Sequence, residues 1–278
     1  MEHWRLIIDI PRDGATNMAR DEALAYAGVV PTLRLYAWQP ACVSLGRFQR
    51  SGEIDQAACA QAGIDVVRRP SGGRALLHAS ELTYAVVVDE RHALLGGNSI
   101  LASYRQISLA LVAGLRQLGV AAELTPAQRH ATRQPMLDGV PSAPEPARAA
   151  SGPISAACFD APASYELTVH GRKLVGSAQT RRNGAILQHG AIPLAAHAER
   201  LSGLLRHPPA DLAARMIALD EAAGRAIAFD ELAEALLAGF RASWGIAFVP
   251  GTLSAAEETQ AAELRRAKYS DAAWTFGR

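Results

Sequence analysis

Between Asn98 and Leu118 apolar side chains recur at spacings of three and four: Ile100, Tyr104, Ile107, Leu111, Leu115 and Leu118. That is the stripe of a helix laid on a core, and Gly119 ends it. Leu33, Leu35 and Ala37 instead alternate with Arg34, Tyr36 and Trp38, the period of a half-buried strand. Upstream, Trp4 to Ile10 reads as a strand, and after the Pro11 to Gly14 turn a helix is expected over Asn17 to Tyr26, with Asn17 as its cap. Ile54 to Ala62 reads as a short helix closed by Gly63. Strand-like runs follow at Asp65 to Arg69, Leu76-Leu77 and Leu82 to Val88.

From Thr125 to Pro153 the rhythm stops, and Pro, Ala, Gln, Arg and Ser dominate; a mobile loop inside the domain is expected there. Order returns at Tyr165 to His170, Lys173 to Thr180 and Ala185 to Ile192. The Gly171-Arg172 and Asn183-Gly184 turns between these runs make them a hairpin series. The last third reads as helices over Ala210 to Leu219, Asp230 to Trp244 and Ser254 to Tyr269, with a short strand at Ile246 to Val249. The third helix opens on the capping box Ser254 to Glu257. Strands first and helices late, without regular βαβ alternation, predict an α+β fold with a mixed or mainly antiparallel sheet flanked by helices. Residues 1–250 are expected to form the main domain and 251–278 a C-terminal helix and tail packed on it.

Composition narrows the class. Of 278 residues 49% are apolar and 20% charged, which excludes a chain disordered as a whole. Basic and acidic residues number 28 and 27, so no strong net field favours nucleic acid or an anionic membrane. Cys42, Cys59 and Cys158 are scattered, and neither a disulfide framework nor a zinc site is expected. The N-terminus lacks the basic start and apolar run of a signal peptide, so the expected location is the cytoplasm.

Three segments carry candidate chemistry. Arg68-Arg69-Pro70-Ser71-Gly72-Gly73-Arg74-Ala75-Leu76-Leu77-His78 sets paired glycines between strand-like runs, where backbone N–H groups approach a ligand closely beside arginines. Alone it does not name that ligand, and a plain turn with solvated arginines fits equally. Cys158, where the polar loop rejoins the hairpins, has the placement of a nucleophilic thiol, although most free cysteines are inert. Lys173, after a tight turn, is placed to project toward the same cleft. His78 and His189 read as hydrogen-bonded structural histidines.

Taken together, Arg68 to His78, Glu81-Leu-Thr-Tyr84 and Gly171-Arg-Lys-Leu-Val-Gly-Ser-Ala-Gln-Thr-Arg181 resemble the lipoate-protein ligase and octanoyltransferase family. The likeness spans roughly Leu33 to Leu194. It implies the biotin/lipoate protein ligase-like, class II synthetase-like fold. Within the family, Cys158 to Leu167 and Ile186 to Gly190 look most like the members that use a cysteine. The resemblance then implies Cys158 as the acyl-thioester nucleophile and Lys173 as the group that lowers its pKa and orients the acyl carbonyl. It implies substrate binding by Arg69, Ser71, Gly72, Gly73, His78, Gly176 and Ser177. Octanoyl-acyl carrier protein is the expected donor. A lysine of the glycine cleavage H protein or another lipoyl domain is the expected acceptor, and neither ATP nor metal is expected as cofactor. Tyr36, Leu76, Leu77 and Val175 are candidate walls of the acyl groove. Two departures from the family pattern stand out: Ser71 where threonine is common, and Ala79 where an acidic residue is frequent.

Rival readings are an ATP-dependent lipoate or octanoate ligase, an amidotransferase between lipoyl domains, and a non-catalytic module that binds an acylated partner.

Overall fold

A computed structural model describes residues 1–26, 29–97, 99–126 and 165–278. Cys158 and all but the first two residues of the expected loop lie outside these. In chain order the described residues form β1 (His3–Ile8), α1 (Gly14–Ala23), β2 (Thr32–Tyr36), β3 (Cys42–Leu45), α2 (Gln56–Gln61), β4 (Asp65–Arg68), β5 (Leu76–His78) and β6 (Glu81–Asp89). Then come α3 (Ile100–Gln117), β7 (Glu123–Leu124), β8 (Leu167–Val169), β9 (Arg172–Lys173), β10 (Gly176–Arg182) and β11 (Ala185–Pro193). The chain closes with α4 (Ala198–Ser202), α5 (Leu212–Arg215), α6 (Leu219–Ala223), α7 (Phe229–Trp244), β12 (Ala247–Pro250), α8 (Ala255–Leu264) and α9 (Ala272–Phe276).

Six strands make a mixed sheet in the order β10-β11-β6-β2-β1-β12, antiparallel as far as β2 and parallel beyond it. The expected α+β class with a mixed sheet is what forms. Side chains alternate across the pleat, so Leu33, Leu35, Tyr84, Val86 and Ile186 pack under α3 and α7. Tyr36, Ala85, Val87 and Leu187 pack under α1 and α8 on the other face. A smaller sheet, β4-β3-β5, builds a third core with α2, α4 and α5.

Several sequence expectations change. The first helix begins earlier: the Asp13 carboxylate accepts from the Thr16 N–H at 2.9 Å and caps it. Asn17 sits one turn inside, with its amide donating to the Arg12 and Ala37 carbonyls. The long central helix starts from a Ser99 cap, and Asn98 lies outside the described residues. The helix expected over Ala210 to Leu219 is two short ones, because Met216 is extended and its carbonyl accepts from Arg172 beside β9. Thr125, expected to be loop, is tied by hydrogen bonds to Tyr165 and Glu166.

The strand read as half-buried has no wet face, since α1 covers the side that carries Arg34 and Tyr36. Arg34 and Asp21 are both 0% exposed, and the guanidinium donates to the Asp21 carboxylate at 2.6 Å. It also donates to Asp9 at 3.1 Å and to the Asn17 side chain at 2.7 Å. Burial alone pushes the Asp21 carboxyl up, but its hydrogen bond from His189 and the charge of Arg34 outweigh that, and it ends below the usual value. Asp9 follows the same pattern through Arg34, Arg20 and Arg12.

Arg34→Met therefore leaves two carboxylates under-compensated. Urea denaturation at neutral pH should show a loss of about 3–5 kcal/mol. A carboxyl with a depressed folded pKa stabilises above its unfolded value and loses that contribution as pH falls through the folded one. With Arg34 gone that depression is relaxed, so the variant should lose less stability than the parent on acidification, and the gap between the two should narrow as pH falls.

Candidate active site

The register of the main sheet sets six side chains and a glycine on its α1 face in one neighbourhood. Thr83 pairs with both Tyr36 and Ala191, His189 with both Ala85 and Ala178, and Gly176 with Ala191. The small sheet faces them with Ser44, Leu76 and His78, and Arg69 follows β4. Between the two sheets lies a narrow cavity with about 20 Å³ of enclosed space and an open mouth, walled also by Met18, Trp38, Ser177 and Gly190. Its walls are largely apolar, with a few polar groups, the composition of a small-molecule site.

Two hydrogen-bonded chains line it. The His189 ring lies 2.9 Å from Asp21 through Nδ1 and 2.5 Å from the Ser71 hydroxyl through Nε2. The His78 ring lies 2.5 Å from Glu81 through Nδ1 and 2.8 Å from the Ser44 hydroxyl through Nε2. An ionised carboxylate only accepts, so each Nδ1 carries a proton and each Nε2 is turned to a serine hydroxyl. Asp21 is held ionised by Arg34 and by the Tyr36 hydroxyl, which donates at 2.7 Å. Glu81 also accepts from Thr83 at 2.6 Å, and Thr83 accepts from the Trp38 indole at 2.9 Å. Trp38 stacks on His78 with ring centroids 3.9 Å apart, which fixes the plane of that imidazole.

The glycine segment is braced from beneath. Arg69 donates to the Ser44, Gly72 and Arg74 carbonyls at 2.7–2.9 Å, so its charge organises the loop backbone. Gly73 adopts a positive φ of 92°. Its carbonyl lies where a Cβ on Gly46 would be, at 1.9 Å, and the Arg47 N–H donates to the Ser71 carbonyl at 2.8 Å. On the main sheet, Gly190 lets Ser177 and Tyr84 close together: their hydroxyls are 2.7 Å apart, and Gln188 donates to Tyr84 at 3.1 Å.

Of the residues singled out from sequence, Arg69, His78, Gly176 and Ser177 line the cavity, and Ser71 reaches it through His189. Gly72 stands at the loop, its carbonyl bound by Arg69. Lys173 is not among the residues that line this cavity. Its ammonium is buried 2.5 Å from Glu166, seven residues back across the β8–β9 turn. Tyr36 and Leu76 do form walls, whereas Leu77 is buried in the core of the small sheet and Val175 in that under α3 and α7. Sequence reading missed Ser44, Trp38 and Asp21, quoted Glu81 and Thr83 as part of a motif without giving them a role, and took His189 for a structural group only.

Residues 13–241 match the family described as the lipoyl protein ligase A/B catalytic domain. The chain is 42% identical to an octanoyltransferase named LipM from Symbiobacterium thermophilum, over 99% of this chain and 98% of that protein. It is likewise 42% identical to an octanoyltransferase LipM from Kyrpidia tusciae, over 99% of each. A crystal structure of lipoate-protein ligase A bound with ATP superposes with a TM-score of 0.78 at 27% identity, covering 100% of this chain and 99% of that one. A bipartite lipoate protein ligase from Thermoplasma acidophilum, described with its E2 lipoyl domain, gives 0.77 at 25% identity, covering 100% and 97%.

Two measurements test this geometry. In ¹⁵N-histidine spectra of the neutral enzyme, His189 and His78 should both appear as Nδ1–H tautomers, and Asp21→Asn should disturb His189 alone. In Gly190→Ala the new methyl meets the Ser177 hydroxyl at 2.4 Å and the Gly176 carbonyl at 2.9 Å. Prising β10 from β11 should cost about 1–3 kcal/mol in thermal unfolding, together with most of the affinity for ligand in the cavity.

Proposed function

The chain belongs to the lipoyl protein ligase A/B catalytic-domain family, and from that membership we propose that it transfers an octanoyl group, held in transit as a thioester on Cys158, to a lysine of a lipoyl-type domain. The observation that carries the reading is the full-length similarity to octanoyltransferases. The largely apolar cavity beside the glycine segment agrees with it. Each methylene that an acyl chain buries on binding contributes about 0.8 kcal/mol, the source of a preference for a medium chain over a short one.

In the proposed reaction the Cys158 thiolate attacks the thioester carbonyl of octanoyl-acyl carrier protein. The carrier's thiolate leaves and takes up a proton, and an octanoyl-enzyme remains. The neutral amine of an acceptor lysine then attacks the enzyme thioester, forms an amide, and returns the cysteine as a thiol. The glycine cleavage H protein or another lipoyl domain is the proposed acceptor. Thioester exchange is close to isoenergetic and amide formation is downhill, so the proposal includes neither ATP nor a metal. One site serves two substrates in turn, which gives ping-pong kinetics.

The Gly72-Gly73 backbone N–H groups are assigned to the tetrahedral oxyanion. Arg69 keeps that loop in shape, and the Ser71–His189 pair borders the acyl head. The Lys173 ammonium, bonded to Glu166 at 2.5 Å, is proposed to lower the Cys158 thiol pKa and to orient the acyl carbonyl by an N–H donor.

Intact-protein mass spectrometry after mixing with octanoyl-acyl carrier protein, without ATP, tests the route. A hydroxylamine-labile octanoyl adduct is expected on the parent and none on Cys158→Ser. Lys173→Met should slow adduct formation on the order of 10²–10³-fold, the usual cost of one electrostatic stabiliser. An adduct that requires ATP would shift the assignment to the adenylating ligase reading, which the likeness to an ATP-bound ligase favours.

A further inference from the structure

Next to the glycine segment the surface carries an exposed aromatic ring among arginines. Phe48 is 70% exposed, with Arg47 and the exposed Arg50 on either side of it in the chain. The Arg47 and Arg278 guanidinium carbons lie 5.6 and 5.5 Å from the Phe48 ring centroid. Arg47 also stands 5.6 Å from Trp274. One guanidinium nitrogen of Arg47 and one of Arg68 are buried without a hydrogen-bond partner. Burial, and then the charges of Arg182 and Arg278, make the Arg47 cation harder to keep. Burial and Arg278 act on Arg68 in the same direction. Glu22, the acid that acts on Arg47, is already held by Lys268 at 2.6 Å. A chain whose charges otherwise balance has thus gathered like charges at one place, a cost that an anionic partner removes on binding.

The location ties this surface to the cavity. The Arg47 N–H is bonded to the Ser71 carbonyl, and Ser71 bonds His189 in the cavity wall. Gly176, Ala178, Thr180 and Arg182 share one face of β10. Ala178 still lines the cavity, and four residues at about 3.3 Å each carry that face roughly 13 Å further to Arg182.

We propose that the surface formed by Phe48, Arg47, Arg50, Arg182 and Arg278 is where an acidic acyl-carrier protein docks, with its carboxylates on the arginines and an apolar side chain on Phe48. This rests on the carrier-dependent reading above. The thioester then reaches the cavity on the carrier's flexible pantetheine arm, along the face of β10. Steering by such a patch raises association rates about 10–10³-fold and weakens with salt.

The test compares the parent with Arg50→Glu/Arg182→Glu and with Phe48→Ala, all exposed positions outside the catalytic machinery. Octanoyl-acyl carrier protein, octanoyl-coenzyme A and octanoyl-pantetheine serve as donors, and kcat/KM is read at low and high salt. The charge-reversed enzyme should lose about tenfold or more with the carrier, keep its rate with octanoyl-pantetheine, and lose the salt dependence of the parent. Phe48→Ala should raise KM for the carrier alone. Unchanged carrier kinetics, or equal losses with all three donors, would overturn the proposal. A loss shared by the carrier and coenzyme A would also overturn it, since the arginines would then read only the arm's phosphate. Failure of the underlying reading looks different: the parent would take octanoyl from no thioester.

Discussion

A guanidinium–carboxylate pair with no exposure to water, Arg34 with Asp21, is the constraint on which the site depends. Neither charge is tolerable alone at that depth, so β2 and α1 are held in one relative position. Asp21 has a second oxygen, and it is spent on Tyr36 and His189. The orientation of the imidazole on β11 is therefore set from the centre of the fold, and Ser71 at the glycine segment is set by the imidazole. A polar interaction under the sheet reaches the glycine segment beside the cavity in three hydrogen bonds.

The cavity needs two sheets because each supplies what the other lacks. The main sheet brings a flat floor with small residues at Gly176, Ala178 and Ala191, where an alkyl chain meets little resistance. The small sheet brings the polar lid, with Ser44 and His78 fixed through Arg69, Glu81 and Trp38. Every polar atom named at this boundary already has a partner within the protein, so the cavity holds its shape before ligand arrives. Preorganisation of this kind lowers the entropy lost on binding.

Much of the architecture was legible because it is local. The five-turn stripe of α3, the capping box before α8 and the Asn183-Gly184 turn, with φ of 55° and 76°, each announce themselves within a few residues. The alternation in β2 misled, because Arg34 reads as solvent-facing until Asp21, on a different element, is brought over it. Ser44 carried no signal, and Glu81 and Thr83 entered only as part of a family motif without a role, for the same reason: a single polar residue in a strand acquires its role from register with another strand. Arg69, His78, Gly176 and Ser177 were found through their resemblance to a family, and the structure gathers them around one cavity. Lys173 was identified by the same route, but its buried partner Glu166 was invisible, being defined by a turn whose far side the spacing alone does not reveal.

Gly46 lies outside the cavity lining, yet nothing larger than hydrogen fits between its Cα and the Gly73 carbonyl. The loop that bears Arg47 and the loop that bears the paired glycines are consequently in backbone contact, with no side chain between them to absorb a shift. They behave as one rigid jaw. An engineer who wishes to reshape the cavity has freedom at Leu76, Met18 or Ala191, whereas a side chain added at Gly46 is transmitted directly to the backbone of the paired glycines.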